Sequence, residues 1–505
     1  MAVHWTTLYR MSTVWTGSLF FSTRYMELEN QRRPVSSSPL RVGVVFRTAC
    51  LKGPDSRMFI GLRGPMVGII MFSKIFDSSA PDFDSRLNDL VSGRRTSLVD
   101  SEITGEVAAI IKDVASRGDE AVCDWCEKLD GYRPALDTME VPTERIWAAV
   151  EQADPDVVLA LEQAHERIEQ YHQGVAPEGC HPLGPDAGIR QRIVPIQSVG
   201  VYVPGGRAAY VSSVLMNVVP ARVAGVEEVI MVTPAPRGVV PEAVLAAAAI
   251  AGVDRLFSVG GVPAIAALTF GTEHIPRVDK IVGPGNRYVA EAKRQVFGAV
   301  GIDMIAGPSE VLVLCDCDDY VGFAAADLIA QAEHDPCAVP MLLVPDSSLF
   351  DKVVEEIGVQ LDELPRKDIV TQSISEQGIA FIVPERDQWS HILNQIAPEH
   401  LELLSDDAEE LSLEVHAAGA VFLGPWSPEA VGDYAAGPDH VLPTSGTARF
   451  TSVLGTADFC RRMSVIHLDQ KQSAELGPTV ITLARSEKLE GHARSMEIRL
   501  RDTNN

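Results

Sequence analysis

From about residue 192 to 425 the chain alternates short, wholly apolar runs with longer segments of helical spacing, and no other feature restricts its fold so severely. "RIVPIQSVGVYVPGG" (192–206) reads as strands closing on a glycine turn. "SSVLMNVVPARVAGV" then reads as a helix, "EEVIMVTPAP" as a strand, "PEAVLAAAAIAGV" as a helix and "RLFSVGG" as a strand. "PAIAALTFGTE" and "VDKIVGPG" add one more of each. Short apolar strands separated by helices imply a parallel sheet with helices on both faces, because each parallel pairing needs a crossover. After the helix "NRYVAEAKRQVFGAV" the rhythm returns, with "SEVLVLCD", "VPMLLVPD", "IAFIVPE", "LELLS" and "AVFLG" as strands. The helices between them are "YVGFAAADLIAQAEH", the segment 349–363, "DQWSHILNQIA" and "AEELSLEVHAAG".

The expected fold class is therefore α/β, with two parallel-sheet units over 201–308 and 312–425. The second unit's domain extends over 309–443. Before them, 66–200 is expected to be a helical region leading into the first strands, carried by "EVAAIIKDVASRGDEAVCDWCEKL". Residues 444–505 are expected to form a separate helical tail.

Residues 1–65 differ from the rest. They hold nine Lys/Arg against three Asp/Glu, a net of +6 that leaves −32 on the remainder of a chain whose formal charge is −26. Two explanations compete: an Arg- and Ser-rich targeting peptide, or sequence upstream of the true start. Met66 and Met71 stand where globular patterning begins and favour the second, so this leader is expected to be disordered and outside the fold.

Charge and composition also exclude classes of function. A net charge of −26 would repel a nucleic acid, though a local pocket could still take an anionic cofactor. No run approaches the roughly 18 apolar residues needed to span a bilayer. The 8 cysteines are too sparse for a disulfide scaffold and fit a reducing compartment. Cys123 and Cys126 form a CxxC on an amphipathic helix with no second ligand pair, which favours structural thiols over zinc or redox chemistry. The expected location is the cytoplasm, or an organelle if the leader is a transit peptide.

Three sets of residues could carry chemistry. The turns "VPGG" (203–206), "VGG" (259–261) and "GPGN" (283–286) each follow a strand, where helix N-termini can face an anion. None is G-x-G-x-x-G, so each could be a plain turn; three at equivalent strand ends point to a ligand-binding rim, with a nucleotide as the candidate. In "DLIAQAEHDP", Gln331 and His334 stand three apart and share a helix face. With Asp433 and His440 of a Gly/Pro-rich loop, and Glu487 and His492 of the last helix, they form a possible N/O donor set for Zn²⁺. A histidine near a helix end can equally be a cap or a dipole partner. Lastly, "APEHLELL" puts Glu399 and His400 at a strand edge, either as a solvated pair or as acid/base groups.

Taken together, "VGVYVPGG", "KIVGPGN", "IDMIAGPSEVLV", "DLIAQAEHDP", "APEHLELL", "SPEAVGDYAAGPDHVLPTSG" and "EGHAR" closely resemble the histidinol dehydrogenase family, from about Phe72 to the C-terminus. The resemblance implies two incomplete Rossmann-like domains and a zinc-dependent homodimer. Its reaction would convert L-histidinol to L-histidine through the aldehyde with two NAD⁺. By the same resemblance Gln331, His334, Asp433 and His492 would hold the zinc, His492 reaching the neighbouring subunit. Glu399 and His400 would transfer protons. Ser309, His440 and Glu487 would join His400 and the four ligands in contacting substrate. Tyr202 and Asn286 would contact NAD⁺, together with the position of Pro263, where the family usually carries glutamine. Proline there lacks both a side-chain amide and an N–H, so weaker or differently posed NAD⁺ is expected. Two other functions remain open: a zinc hydrolase using Glu399 to activate water, and a catalytically inactive binding protein on the same scaffold.

Overall fold

The computed structural model describes residues 72–96, 102–205, 210–362 and 364–501; the leader expected over 1–65 lies outside them. β1 (Lys74–Asp77) precedes a run of helices, and the two-residue β2 (Glu140–Val141) interrupts it. β3 (Ile189–Pro195) and β4 (Ser198–Tyr202) follow in direct succession. Helices then alternate with β5 (Glu228–Val232), β6 (Arg255–Phe257), β7 (Lys280–Val282) and β8 (Gly301–Ile302). A second series comprises β9 (Glu310–Cys315), β10 (Val339–Val344), β11 (Ile379–Ile382), β12 (His400–Leu404) and β13 (Ala420–Leu423). β14 (Cys460–Ile466) precedes the helices Gln470–Ser486 and Glu490–Arg501.

The expected two parallel sheets are present, and they share one strand order. The first runs β2-β6-β5-β4-β7-β8 and the second β1-β11-β10-β9-β12-β13. In each series the first strand is central, the next two lie to one side and the last two to the other, the doubly wound arrangement. All neighbours are parallel except β2, which runs antiparallel to β6. The order reverses between β4 and β7 and between β9 and β12, the topological switch points of the two sheets.

The strands read as unbroken apolar runs because both faces are buried: Val199, Val201, Ile230, Leu256 and Ile281 in one sheet and Val311, Leu312, Leu342 and Phe381 in the other are fully enclosed. Each such side chain contributes about 1.5–3 kcal/mol through removal of apolar surface from water. The alanine-rich helix Glu242–Ala251 is packed among the helices Thr143–Gln152, Pro155–Gly174 and Val211–Ala224. Among the described residues no helix is long and apolar enough to cross a membrane.

Three details depart from the sequence pattern. The apparent long helix near the start of the fold breaks into Thr104–Arg117 and Asp119–Asp130, because Gly118 takes a left-handed φ of 59°. β1 crosses to the second sheet and pairs with β11, so the N-terminal region is not wholly helical. The tail is not wholly helical either, since β14 forms an antiparallel ribbon with β3.

Candidate active site

The site forms at the amino ends of β9 and β12, the switch point of the second sheet. The helix Trp389–Ile396 stops where Ala397 turns left-handed (φ 48°), and Pro398 prevents its continuation. The chain then delivers Glu399 and His400 straight into β12. β12 lies between β9 and β13, so the pair enters an interior strand rather than an edge strand. Both side chains are buried, at 6% and 4% exposure.

The main chain of Glu310 holds both. Its N–H donates to Glu399 Oε2 at 2.8 Å, and its carbonyl accepts from His400 Nδ1 at 3.1 Å. The second bond fixes the tautomer: Nδ1 carries the hydrogen, and Nε2 is left bare with no hydrogen-bond partner. That nitrogen faces Asp433 Oδ1 at 3.8 Å, while Nδ1 lies 3.6 Å from Glu429 Oε1 and 3.8 Å from Glu399 Oε2. His440 is oriented the same way, donating from Nδ1 to the Asp433 carbonyl at 3.0 Å.

Gln331 comes from the helix Val321–Ala332 and is fully buried, yet neither atom of its amide has a partner. An unpaired buried amide costs several kcal/mol, so this one is built to meet something else. His334 lies just past the helix end, where its N–H donates to the Gln331 carbonyl at 3.3 Å. Its residue is exposed, though enough protein surrounds the ring to hold its pKa below the ordinary value.

Electrostatics mark the site as cation-hungry. Burial pushes the carboxyls of Glu399, Glu402 and Glu429 well above their usual range and that of Asp433 to about 7. Asp327 is raised by burial too and shares a hydrogen bond with Glu402. Burial holds the His400 ring neutral, at about 3, with the fields of His334 and His440 adding to the fall. His440 is likewise held at about 4 by burial. Among the described residues no lysine or arginine bonds the side chains of these carboxyls and neutral imidazoles, an arrangement that a divalent cation would resolve.

Among the described residues, His400, Glu429 and Asp433 form the one His/Cys/Asp/Glu group whose donor atoms lie close enough for a metal, all within 4.8 Å. That group shares only Asp433 with the ligand set implied by sequence resemblance. The field of His334 reaches both His400 and His440, and the helix that carries Gln331 packs against the helix Glu429–Tyr434 that carries Asp433.

A family model for histidinol dehydrogenase matches residues 93–500. The chain belongs to the histidinol dehydrogenase family. It is 48% identical over 428 residues to the histidinol dehydrogenase of Pseudomonas savastanoi pv. phaseolicola, covering 84% of this chain and 95% of that one. It is 46% identical over 431 residues to that of Cupriavidus pinatubonensis, with 84% and 96% covered. Among solved structures, the histidinol dehydrogenase of Elizabethkingia anophelis matches with a TM-score of 0.79 at 31% identity, covering 86% of this chain and 99% of that chain. Histidinol dehydrogenase activity, an oxidation in histidine biosynthesis, is the function these relationships support.

The other residues expected in a histidinol dehydrogenase site are dispersed. Ser309 is half-buried beside Glu310, its carbonyl accepting from Val339 N–H at 2.9 Å. Glu487 and His492 are exposed in the tail, on opposite sides of a break at Lys488 (φ 62°), and no described hydrogen bond or ion pair ties them to the cluster. Tyr202 ends β4, buried at 3% exposure, with its hydroxyl accepting from Gly261 N–H at 3.2 Å. Asn286 is exposed and caps the helix Arg287–Val296, accepting from the N–H groups of Tyr288 and Val289. Pro263 is buried in the first turn of the helix Gly261–Phe270. The CxxC thiols are both buried and protonated, burial pushing Cys126 up to about 12.

Glu310, Asp327, Glu402 and Glu429 escape a reading of motifs. A period-based signal for three of them exists. Glu402 is two residues after His400 on a strand, Asp327 four before Gln331 on a helix, and Glu429 four before Asp433 on another, so each shares a face with its partner. Glu310 contributes through its backbone, which no side-chain pattern can announce.

Proposed function

We propose that the chain oxidises L-histidinol to L-histidine in two NAD⁺-linked steps through L-histidinal, at a zinc site completed in a homodimer. What carries this reading is the bare Nε2 of His400, facing Asp433 in a buried donor cluster, with the unpartnered amide of Gln331 on a helix packed against the one that carries Asp433. The donors suit a borderline cation: amide and carboxylate oxygens with imidazole nitrogens. Gln331, His334 and Asp433 would hold it, with His492 supplied by a second copy. In favour of that copy, His492 is exposed, and Leu476, Val480 and Leu483 leave an apolar face uncovered on the helix Gln470–Ser486. When bound, zinc would anchor the amine and imidazole nitrogens of the substrate and polarise its oxygen.

In the first step His400 Nε2 takes the hydroxyl proton as hydride leaves the carbinol carbon for NAD⁺, giving the aldehyde, NADH and a proton. In the second, Glu399 takes a proton from water as the oxygen adds to the aldehyde carbon. The hydrate then loses hydride to a second NAD⁺, leaving the carboxylate. Burial leaves the His400 ring unprotonated and raises the proton affinity of the Glu399 carboxyl; a cation in the pocket would bring that carboxyl back toward the ionised form a base needs. An enclosed site also keeps the aldehyde from escaping between steps. NAD⁺ would lie along the glycine-turn rim of the first sheet, where Tyr202, Pro263 and Asn286 stand. The location proposed is the cytoplasm.

Glu399→Gln tests the division of labour. The expected result is a loss of about 10²-fold or more in histidinal oxidation with a smaller loss in histidinol oxidation, measured as separate half-reactions by NADH absorbance. Equal losses in both would contradict it.

A further inference from the structure

One largely enclosed arginine lies outside the cluster yet ties together the two segments that present it. Arg94, on the helix Phe83–Thr96, forks between two acceptors. One guanidinium nitrogen donates to the Ile396 carbonyl at 2.5 Å, and the other pairs with Glu310 Oε1 at 2.5 Å. The pair is enclosed, with side-chain exposures of 11% and 2%. The same Glu310 oxygen accepts from Ser445 N–H at 3.0 Å.

Both ends of this bridge adjoin the reactive groups. Ile396 is the last residue of the helix Trp389–Ile396, three before Glu399. A helix ends with unsatisfied carbonyls, and a cation there is favoured by the dipole. Arg449 already takes the Asn394 and Gln395 carbonyls, and Arg94 takes the next. Glu310 in turn offers its N–H to Glu399 and its carbonyl to His400. One guanidinium thus sets β9 against the turn that launches β12.

Taking Glu399 and His400 as the proton-transfer pair, a reading on which this rests, we propose that Arg94 and Glu310 are positioning residues that hold the two reactive side chains in register. Neither touches the bare Nε2 of His400; they act through the Glu310 backbone and the end of the Trp389–Ile396 helix. A planar fork suits the task, because its two nitrogens hold both acceptors in one fixed geometry, whereas an ammonium is a point charge on a flexible stem. The contribution belongs to kcat, since binding groups elsewhere in the site are untouched while the acceptor atoms shift. A misplacement of about 1 Å can cost about 10²-fold in rate.

The test uses the purified full-length, zinc-loaded enzyme. Arg94→Ala is expected to lower kcat by about 10- to 100-fold, with KM for histidinol and NAD⁺ within about threefold and zinc content unchanged. Millimolar guanidinium chloride should restore part of the lost rate in Arg94→Ala and none in His400→Asn. Arg94→Lys keeps a cation for Glu310 and the fold, and is expected to be slowed about tenfold. A folded Arg94→Ala or Arg94→Lys enzyme with kcat within about twofold of the parent overturns the proposal. A loss carried equally by both KM values, without guanidinium rescue, overturns it too. If His400→Asn and Glu399→Gln themselves turn over at the parent rate, the proton-transfer reading fails on its own. If those two are slow while both Arg94 variants are not, only the positioning role fails.

Discussion

In the sheet built on β4–β8, the glycine turns gather at the carboxyl ends of β4, β6 and β7, where the helices Gly261–Phe270 and Arg287–Val296 begin. In the sheet built on β9–β13, the buried Glu399 and His400 lie at the amino ends of β9 and β12, the end at which the chain leaves the helix Val321–Ala332 for β10. The strand order is the same in both, and the two groups of residues lie at opposite ends of it. The helix dipole gives the reason. Helices begin at the carboxyl end of a parallel sheet, offering partial positive charge and free N–H groups to an anion. They finish at the amino end, where free carbonyls and partial negative charge favour a cation. One topology thereby offers a rim suited to phosphates and, at its other end, a pocket suited to a metal.

The two ends also differ in what they are made of. The first is backbone: Gly283 has φ 109°, and a Cβ on it would lie 2.1 Å from the Tyr202 carbonyl oxygen. A buried Lys293–Asp303 ion pair grips that glycine, Lys293 Nζ donating to its carbonyl and its N–H donating to Asp303 Oδ2 at 2.8 Å. The second end is side chain, with buried carboxyls, imidazoles and an amide awaiting a partner.

If the division holds, damage at one end should leave the other intact. The largest effect is expected from His334→Ala, which should lose stoichiometric zinc by elemental analysis and lower turnover at least about 10²-fold, with NAD⁺ binding retained. A full equivalent of zinc in that variant would break the comparison. Next, Gly283→Ala should raise KM for NAD⁺ about tenfold or more and cost about 1–3 kcal/mol of stability, because the new Cβ meets backbone in a conformation L-residues avoid. Its zinc content should not change; loss of metal would show that the ends are not independent. The smallest effect is expected from Pro263→Gln, which should lower KM for NAD⁺ by a few-fold and leave KM for histidinol alone. Proline sits there without harm to the helix, since N–H groups of a first turn have no intrahelical partner, but it removes one donor that could face an anion. An unchanged KM would place the nucleotide away from this helix.

Most of the architecture was legible in the order of residues. Alternating apolar strands and helices announced two parallel sheets, and "APEHLELL" announced a Glu-His pair entering a strand. The breaks were less legible: Gly118 inside a helical pattern, and the turn at Lys488 that separates Glu487 from His492. β1 pairing with β11, or β14 with β3, involves partners hundreds of residues apart, and local periodicity carries no record of which strand a given one will meet.

The sequence by itself determined the family, through many motifs in one order, and the periodicities that build each sheet. Only the tertiary structure decided which carboxylates are buried together, which nitrogen of His400 is bare, and that Glu310 serves through its main chain. Burial and tautomer are properties of surroundings, assembled from β9, β12 and the helices beside them. A residue's type sets what it can donate or accept, and its neighbours in space set what remains unpaired.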